Sequence, residues 1–398
     1  MIHMSQSTLS TSEISTIAPR FERNTEVSFA FQPITDLHSL AASWRTLEKR
    51  SEASFFQSWD WIEPWVVEAQ IKPWVLSARV SGELALLALF TNAMQHRHGV
   101  IRSNSLLLHH TGERARDVLS VGYNGFVIDA ALDGQIVTQA LEHLRRVATL
   151  PFVEIQLNRV SEVYWRRAQM TGFRTVLLCR NPSWRVDLAT VRRSGGGYLE
   201  SLSGNTRYQI RRSIKLYKRR GNLTLTTASS VKEALDYFRQ LRDLNISYWA
   251  SRRQTTAFSY PFFERFHRRL IERCIPKGTV ELVRVNIGEI PIGFLYNFVS
   301  NGQVYAYQSG FAYESDPKLK PGLVSHELCI EKHLKEGAEI YDFLAGQARY
   351  KANLGVVGPD LFDCSLQRPS FTLQTENLLR LLKRHTVLAL SRIAQSAR

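Results

Sequence analysis

Apolar positions recur along this chain with two periods, and the switches between them predict its elements. Within residues 55–67, Phe56, Trp59 and Ile62 follow helical spacing, and Pro64 is expected to interrupt that helix. Residues 74–80 and 83–90 are short runs rich in Val, Leu and Ala joined at Ser81 and Gly82, the pattern of a β-hairpin, with a third strand over 100–108. A stripe through Ile136, Ala140, Leu144 and Val147 predicts a helix over 134–147, followed by a strand over 152–157. A helix over 160–170 and strands over 174–178 and 184–188 complete this half. Ser194 and the glycines Gly195, Gly196 and Gly197 then punctuate the chain.

The second half repeats the order with clearer signals. Helices are expected over 203–220, 231–249 and 260–274. Strands over 279–286 and 291–299 flank a turn at Gly288, and Asn301–Gly302 is the dipeptide favoured by type I′ hairpins ahead of a strand over 303–311. A helix runs from Gly322 to about Glu336, where Gly337 stops it, and residues 340–344 read as a buried strand. Each half therefore has a hairpin, a further strand, a helix and a strand, which predicts two similar α+β units side by side.

Composition narrows this picture without choosing a ligand. The 398 residues are 44% hydrophobic and 22% charged, which excludes a disordered chain. Lys and Arg outnumber Asp and Glu by 51 to 36, a net charge of +15, so nucleic acid, a phosphate-rich cosubstrate and an anionic membrane surface all fit as partners. Cys179, Cys274, Cys329 and Cys364 form no C-x-x-C pair, which argues against a zinc knuckle or a disulfide framework and for a cytoplasmic location. Residues 1–28 read as a disordered tail with no signal-peptide core, and no apolar run is long enough to span a bilayer. Residues 369–398 read as an amphipathic helix that either docks on the body or lies on a membrane.

Several residues have the chemistry of a site. Alternation puts Asp342 on the face opposite Tyr341 and Phe343, where a carboxylate among apolar neighbours must pair, titrate at raised pH or accept a proton as a general base. Tyr350 and Lys351 are expected in a polar loop after that strand, as a possible acid and a possible anion ligand. Arg207, Arg211, Lys215 and Lys218 share one face of a basic amphipathic helix that suits a polyanion such as a nucleotide sugar, a lipid phosphate or tRNA, or simply water. Trp249 with Tyr248 offers a stacking surface for a sugar or base, with core packing the alternative. Glu327 and Glu331 are expected on a solvated helix face, and the pairs His96/His98 and His109/His110 lack further ligands, so no metal is assigned. Dinucleotide, phosphate-loop and serine-hydrolase motifs are absent.

The run VELVRVNIGEIPIGFLYNF, and then KPGLVSHELCIEKHLKEGAEIYDFLAGQARYKANLG, resembles the GNAT-like CelD/BcsL acyltransferases, chiefly through Tyr341, Asp342, Phe343, Leu344, Gly346, Tyr350 and Lys351. The basic helix NTRYQIRRSIKLYKRRG also resembles the related FemABX aminoacyl transferases. The resemblance covers roughly residues 200–358 and implies a tandem GNAT-like fold of mixed sheets flanked by helices, with units over 29–193 and 198–368. It implies an acyl-CoA or other thioester donor and, as acceptor, an amine or hydroxyl of a cell-envelope polysaccharide or its precursor. In such folds a helix N-terminus faces the donor's pyrophosphate. Here Lys318, Lys320, Gly322 and Leu323 occupy that place, with Gly322 alone where two spaced glycines are usual. His326 in the first turn is then a second candidate base. The alternatives are an aminoacyl-tRNA-dependent transferase and a noncatalytic polysaccharide- or nucleotide-binding module.

Overall fold

The protein, seen in a computed structural model, is described over residues 26–97 and 101–379. Residues 1–25 of the tail expected over 1–28 and most of the helix expected over 369–398 lie outside these residues; within them, Val27 and Ser28 open a strand rather than ending a tail, and 371–379 is helical.

The first half contains strands β1 (Val27–Pro33), β2 (Trp74–Val80), β3 (Glu83–Arg97), β4 (Ile101–Leu108), β5 (Val127–Ile128), β6 (Glu154–Val160) and β7 (Arg174–Asn181). Its helices are α1 (Leu37–Glu48), α2 (Trp59–Glu68), α3 (Gln135–Arg146) and α4 (Glu162–Ala168). β8 (Ser183–Asp187) and α5 (Leu188–Arg193) close the first half, and the second runs α6 (Tyr198–Ser201), α7 (Gly204–Lys218), β9 (Leu223–Thr227), α8 (Val231–Ala250) and α9 (Pro261–Cys274). It continues β10 (Val280–Ile287), β11 (Ile290–Ser300), β12 (Gln303–Phe311), α10 (Pro321–Lys335), β13 (Ile340–Ala345), α11 (Arg349–Leu354), β14 (Val356–Val357) and β15 (Leu361–Gln367).

Two sheets follow the same plan. One has the order β1-β2-β3-β4-β6-β15-β7, the other β14-β8-β13-β12-β11-β10-β9. In each, four antiparallel strands end beside a parallel fifth: β4 runs with β6 and β12 with β13. The strand beyond the fifth is exchanged. β15, late in the chain, adds to β6 in the first sheet, and β8 adds to β13 in the second. A division near residues 193–198 therefore cuts neither sheet out cleanly.

Local chemistry accounts for most of these elements. Asn301 and Gly302 both have positive φ, 49° and 72°, as a type I′ turn between β11 and β12 requires. The proline expected to end the aromatic helix sits inside α2 instead, because α2 starts late, at a Ser58 cap whose hydroxyl accepts from the Trp61 N–H at 3.3 Å. Burial of Trp59, Trp61, Ile62 and Trp65 outweighs the lost helical bond.

The largest apolar cluster spans both halves. Phe55 stacks on Phe298 at 4.4 Å and Trp61 meets the edge of Phe266 at 4.8 Å. Around that core Arg269 pairs with Glu63 at 3.1 Å and Arg273 with Asp60 at 3.1 Å, tying α9 to α2. The second sheet is covered on its other face by α7 and α10.

Candidate active site

The parallel pairing of β12 with β13 covers three residues of each strand, ending at Tyr305 opposite Asp342, while β12 continues to Phe311 beside β11 alone. The two strands part there. Just beyond, β12 carries one residue too many: Asn297 opposes Ala306 and Tyr296 opposes Gln308, so Tyr307 forms a bulge. β13 is irregular too, its pairing with β8 shifting between Asp342 and Ala345.

Asp342 lies at this divergence. Tyr341 and Phe343 point toward α10, so alternation turns Asp342 toward the first half, where the Tyr123 hydroxyl donates to its carboxylate. The Leu344 N–H donates to the other oxygen at 2.6 Å. Both partners are non-glycine residues in the left-handed region, Tyr123 at φ 49° and Leu344 at φ 61°. Backbone in that region is costly for such side chains and gathers at functional sites.

Burial raises the Asp342 carboxyl to about 6, against the opposing pull of Tyr123, the Leu344 N–H, Lys351 and Arg185. Burial also pushes the Tyr123 phenol far up, so it stays a donor. Lys351, whose ammonium donates to the Ala345 carbonyl at 2.9 Å, is lowered to about 8 by burial, with Asp342 acting in the opposite direction. At neutral pH the carboxylate is mostly ionised yet weakly stabilised, the state that best accepts a proton.

Two cavities flank this contact. A cleft of about 710 Å³ between the halves is lined by Ser54, Gln57, Tyr123, Arg185, Tyr305 and Asp342, among others. On the side of Gly122 and Leu344 lies a cavity of about 270 Å³ bordered by His110, Arg159 and Ala345. Glu52, Asp129 and Asp133 also face the larger cleft, so its charge is opposite to that of the molecule as a whole.

The other expected residues lie elsewhere. His326 is 2% exposed on the α10 side of β13, with Nδ1 3.2 Å from the Tyr341 hydroxyl. Burial, assisted by Lys351, lowers it to about 3, so it is neutral and separated from the cleft by the strand. Tyr350 stacks on His326 at 5.5 Å, and Tyr350 and Lys351 lie in helix α11 rather than in a loop. Of these, Lys351 alone adjoins Asp342.

Phe311, His326 and Phe343 form a run of contacting rings across the gap between β12 and β13, with centroids 5.8 and 5.3 Å apart. Those rings occupy the place where a thioester is expected beside Gly322. A Cβ at Gly322 would itself lie 3.1 Å from the Phe311 ring, so a glycine there relieves close packing against that ring. The first turn of α10 has no side-chain cap. Around it, Lys318 is exposed, the Lys320 N–H is held by the Ser213 hydroxyl at 2.9 Å, and Leu323 packs against the α10 core. A phosphate fits this helix end better than an acyl arm fits the gap behind it.

On α7, Arg211 pairs with Glu200 at 2.9 Å, Arg207 donates to the Glu200 carbonyl at 3.3 Å, and Lys215 is exposed. This helix packs on the α10 face, across the sheet from Asp342. Trp249 adjoins Tyr248, whose ring lies tilted 4.9 Å from that of Tyr313 and carries the Arg252 guanidinium 3.7 Å above it. Glu327 is buried, not solvated, and burial together with Glu331 raises it to about 7.

Residues 204–352 match the family described as acetyltransferase (GNAT) domain. No curated protein matches the sequence. Among solved structures the chain is similar to FemX, at 12% identity and a TM-score of 0.56 over 85% of this chain and 97% of that one. It is also similar to a conserved protein of unknown function from Bacteroides thetaiotaomicron VPI-5482, at 10% identity and a TM-score of 0.52 over 86% and 100% of the two chains. The architecture is thus the expected tandem GNAT-like α+β fold, and the match to the acetyltransferase (GNAT) domain family falls within its second half.

Proposed function

We propose that the protein transfers an acyl group from a coenzyme A thioester to an amine or hydroxyl of an acceptor seated in the cleft between the halves, a saccharide or envelope precursor being the favoured class. The observation that carries this reading is Asp342: a carboxylate raised to about 6, fixed by Tyr123 and the Leu344 N–H, in the wall of the larger of the two cavities beside it. In this reading Asp342 takes the acceptor's proton as the nucleophile attacks the thioester carbonyl, and the bulge at Tyr307 frees backbone amides for the developing oxyanion. The family match over 204–352 supports the acyl chemistry.

Lys318 and the uncapped start of α10 are assigned to the donor's phosphates, and the acyl arm reaches Asp342 once the His326–Tyr350 stack repacks. The amides, hydroxyls and tyrosines of the cleft suit a polyol. The test is release of free thiol from acetyl-CoA in the presence of a panel of amino sugars and oligosaccharides. Acceptor-dependent release supports the reading. Binding of charged tRNA with a steep salt dependence, and none of acetyl-CoA, overturns it in favour of an aminoacyl ester donor, the reading to which the basic face of α7 lends itself.

A further inference from the structure

On the far side of β13 from the cleft, the second half encloses a separate set of polar groups. Glu281 on β10, Asn297 on β11, and Cys329 and His333 on α10 are between 0% and 6% exposed. Cys329 and His333 are four residues apart and so share one helix face, turned here onto the sheet. One donor atom from each of Glu281, Cys329 and His333 lies within 4.8 Å of the other two. We propose that these three residues bind a zinc ion, with the Asn297 carboxamide at the fourth position.

Sulfur, imidazole nitrogen and carboxylate oxygen are the donors zinc takes, in a tetrahedral set of four. The fourth is in place: Asn297 Nδ2 is 3.0 Å from Glu281 Oε2 and 3.4 Å from Cys329 Sγ, and a half-turn of the amide presents Oδ1 to the same point. That oxygen has no hydrogen-bond partner although the residue is fully buried.

The outer contacts are those that hold metal ligands. His333 directs Nε2 to the centre, 2.9 Å from Glu281 Oε2, while Nδ1 lies 3.4 Å from the Glu336 carboxylate, the carboxylate–histidine arrangement that fixes a ligating imidazole. The second oxygen of Glu281 is taken by the Lys332 ammonium. A dication with one thiolate and one carboxylate is neutral, and Lys332 and Glu336 cancel outside it. A purely hydrogen-bonded network explains Lys332, Glu281 and His333 and lets the Cys329 sulfur accept from Asn297 Nδ2, but it leaves the Asn297 oxygen bare. A bound ion would pin α10 to β10 and β11 behind Tyr341, the neighbour of Asp342.

The test uses full-length, tag-free protein. Elemental analysis after gel filtration is expected to find about one zinc per chain. Chelator-treated protein titrated with Co²⁺ is expected to develop a thiolate-to-cobalt charge-transfer band that saturates near one equivalent. Cys329→Ser should lose that band, and Glu336→Gln, which leaves every ligand in place, should weaken zinc affinity about 10-fold or more. Folded wild-type protein that takes up no zinc and gives no such band overturns the proposal, as does a Cys329→Ser variant with the wild-type zinc content.

Discussion

Burying the Asp342 carboxyl costs the fold stability. That carboxyl titrates near 6 when folded and near the ordinary carboxylate value when unfolded, so the folded chain holds the proton more tightly. Between those values rising pH removes stability, on the order of 2–3 kcal/mol once the group is ionised. Asp342→Asn, which cannot ionise, should therefore gain stability relative to wild type as pH rises from about 4 to about 8. Thermal melts at both pH values check this, and a variant that melts lower than wild type at the higher pH would assign the carboxylate a structural ion pair. Tyr123→Phe removes a donor that holds the Asp342 pKa down. The acidic limb of the pH–rate profile should then move to higher pH, whereas an unmoved limb would mean that Asp342 is not the group titrating.

At the scale of elements, the exchange of β8 and β15 makes each sheet depend on the other half of the chain. β15 is bound into the first sheet by Glu154, which accepts from Ser365 at 2.6 Å and pairs with Arg97. Burial raises that carboxyl, but Arg97 and the hydroxyls of Ser105 and Ser365 outweigh it and hold it low. Its stabilising effect is thus present at neutral pH and lost in acid. Glu154→Ala should cost about 3 kcal/mol or more, because the buried end of Arg97 is left unpaired, and urea unfolding would measure it. A loss below about 1 kcal/mol would mean the pair is no better than a surface one.

The same scale shows what could be read from the chain. The Asn-Gly hairpin, α8, α9 and α10 are visible as turn chemistry and periodicity because each signal is local. β15 pairs with strands some two hundred residues earlier, so no local pattern marks its sheet. Asp342 was legible because a lone carboxylate interrupts an apolar strand. Its partner Tyr123 was not, since it lies in a loop brought over from the other half. His326 and Tyr350 stand out in sequence because their types suit proton transfer, but the burial that keeps His326 neutral is not displayed there.

The molecule as a whole is one cooperative body by this account, since its largest apolar cluster draws on α1, α2, α8 and α9 alike. Calorimetry should show a single unfolding transition, and two well-separated transitions would mean that the halves fold independently. The cleft with Asp342 exists only where those halves meet, which is why neither half alone contains the candidate site. The most direct measurement is acceptor-dependent thiol release from acetyl-CoA by wild type and Asp342→Asn side by side. Proton transfer by a positioned carboxylate accounts for about 10²–10⁴-fold in rate, so the variant should fall by at least about 100-fold while remaining folded. Equal release by the two proteins would contradict the role given to Asp342.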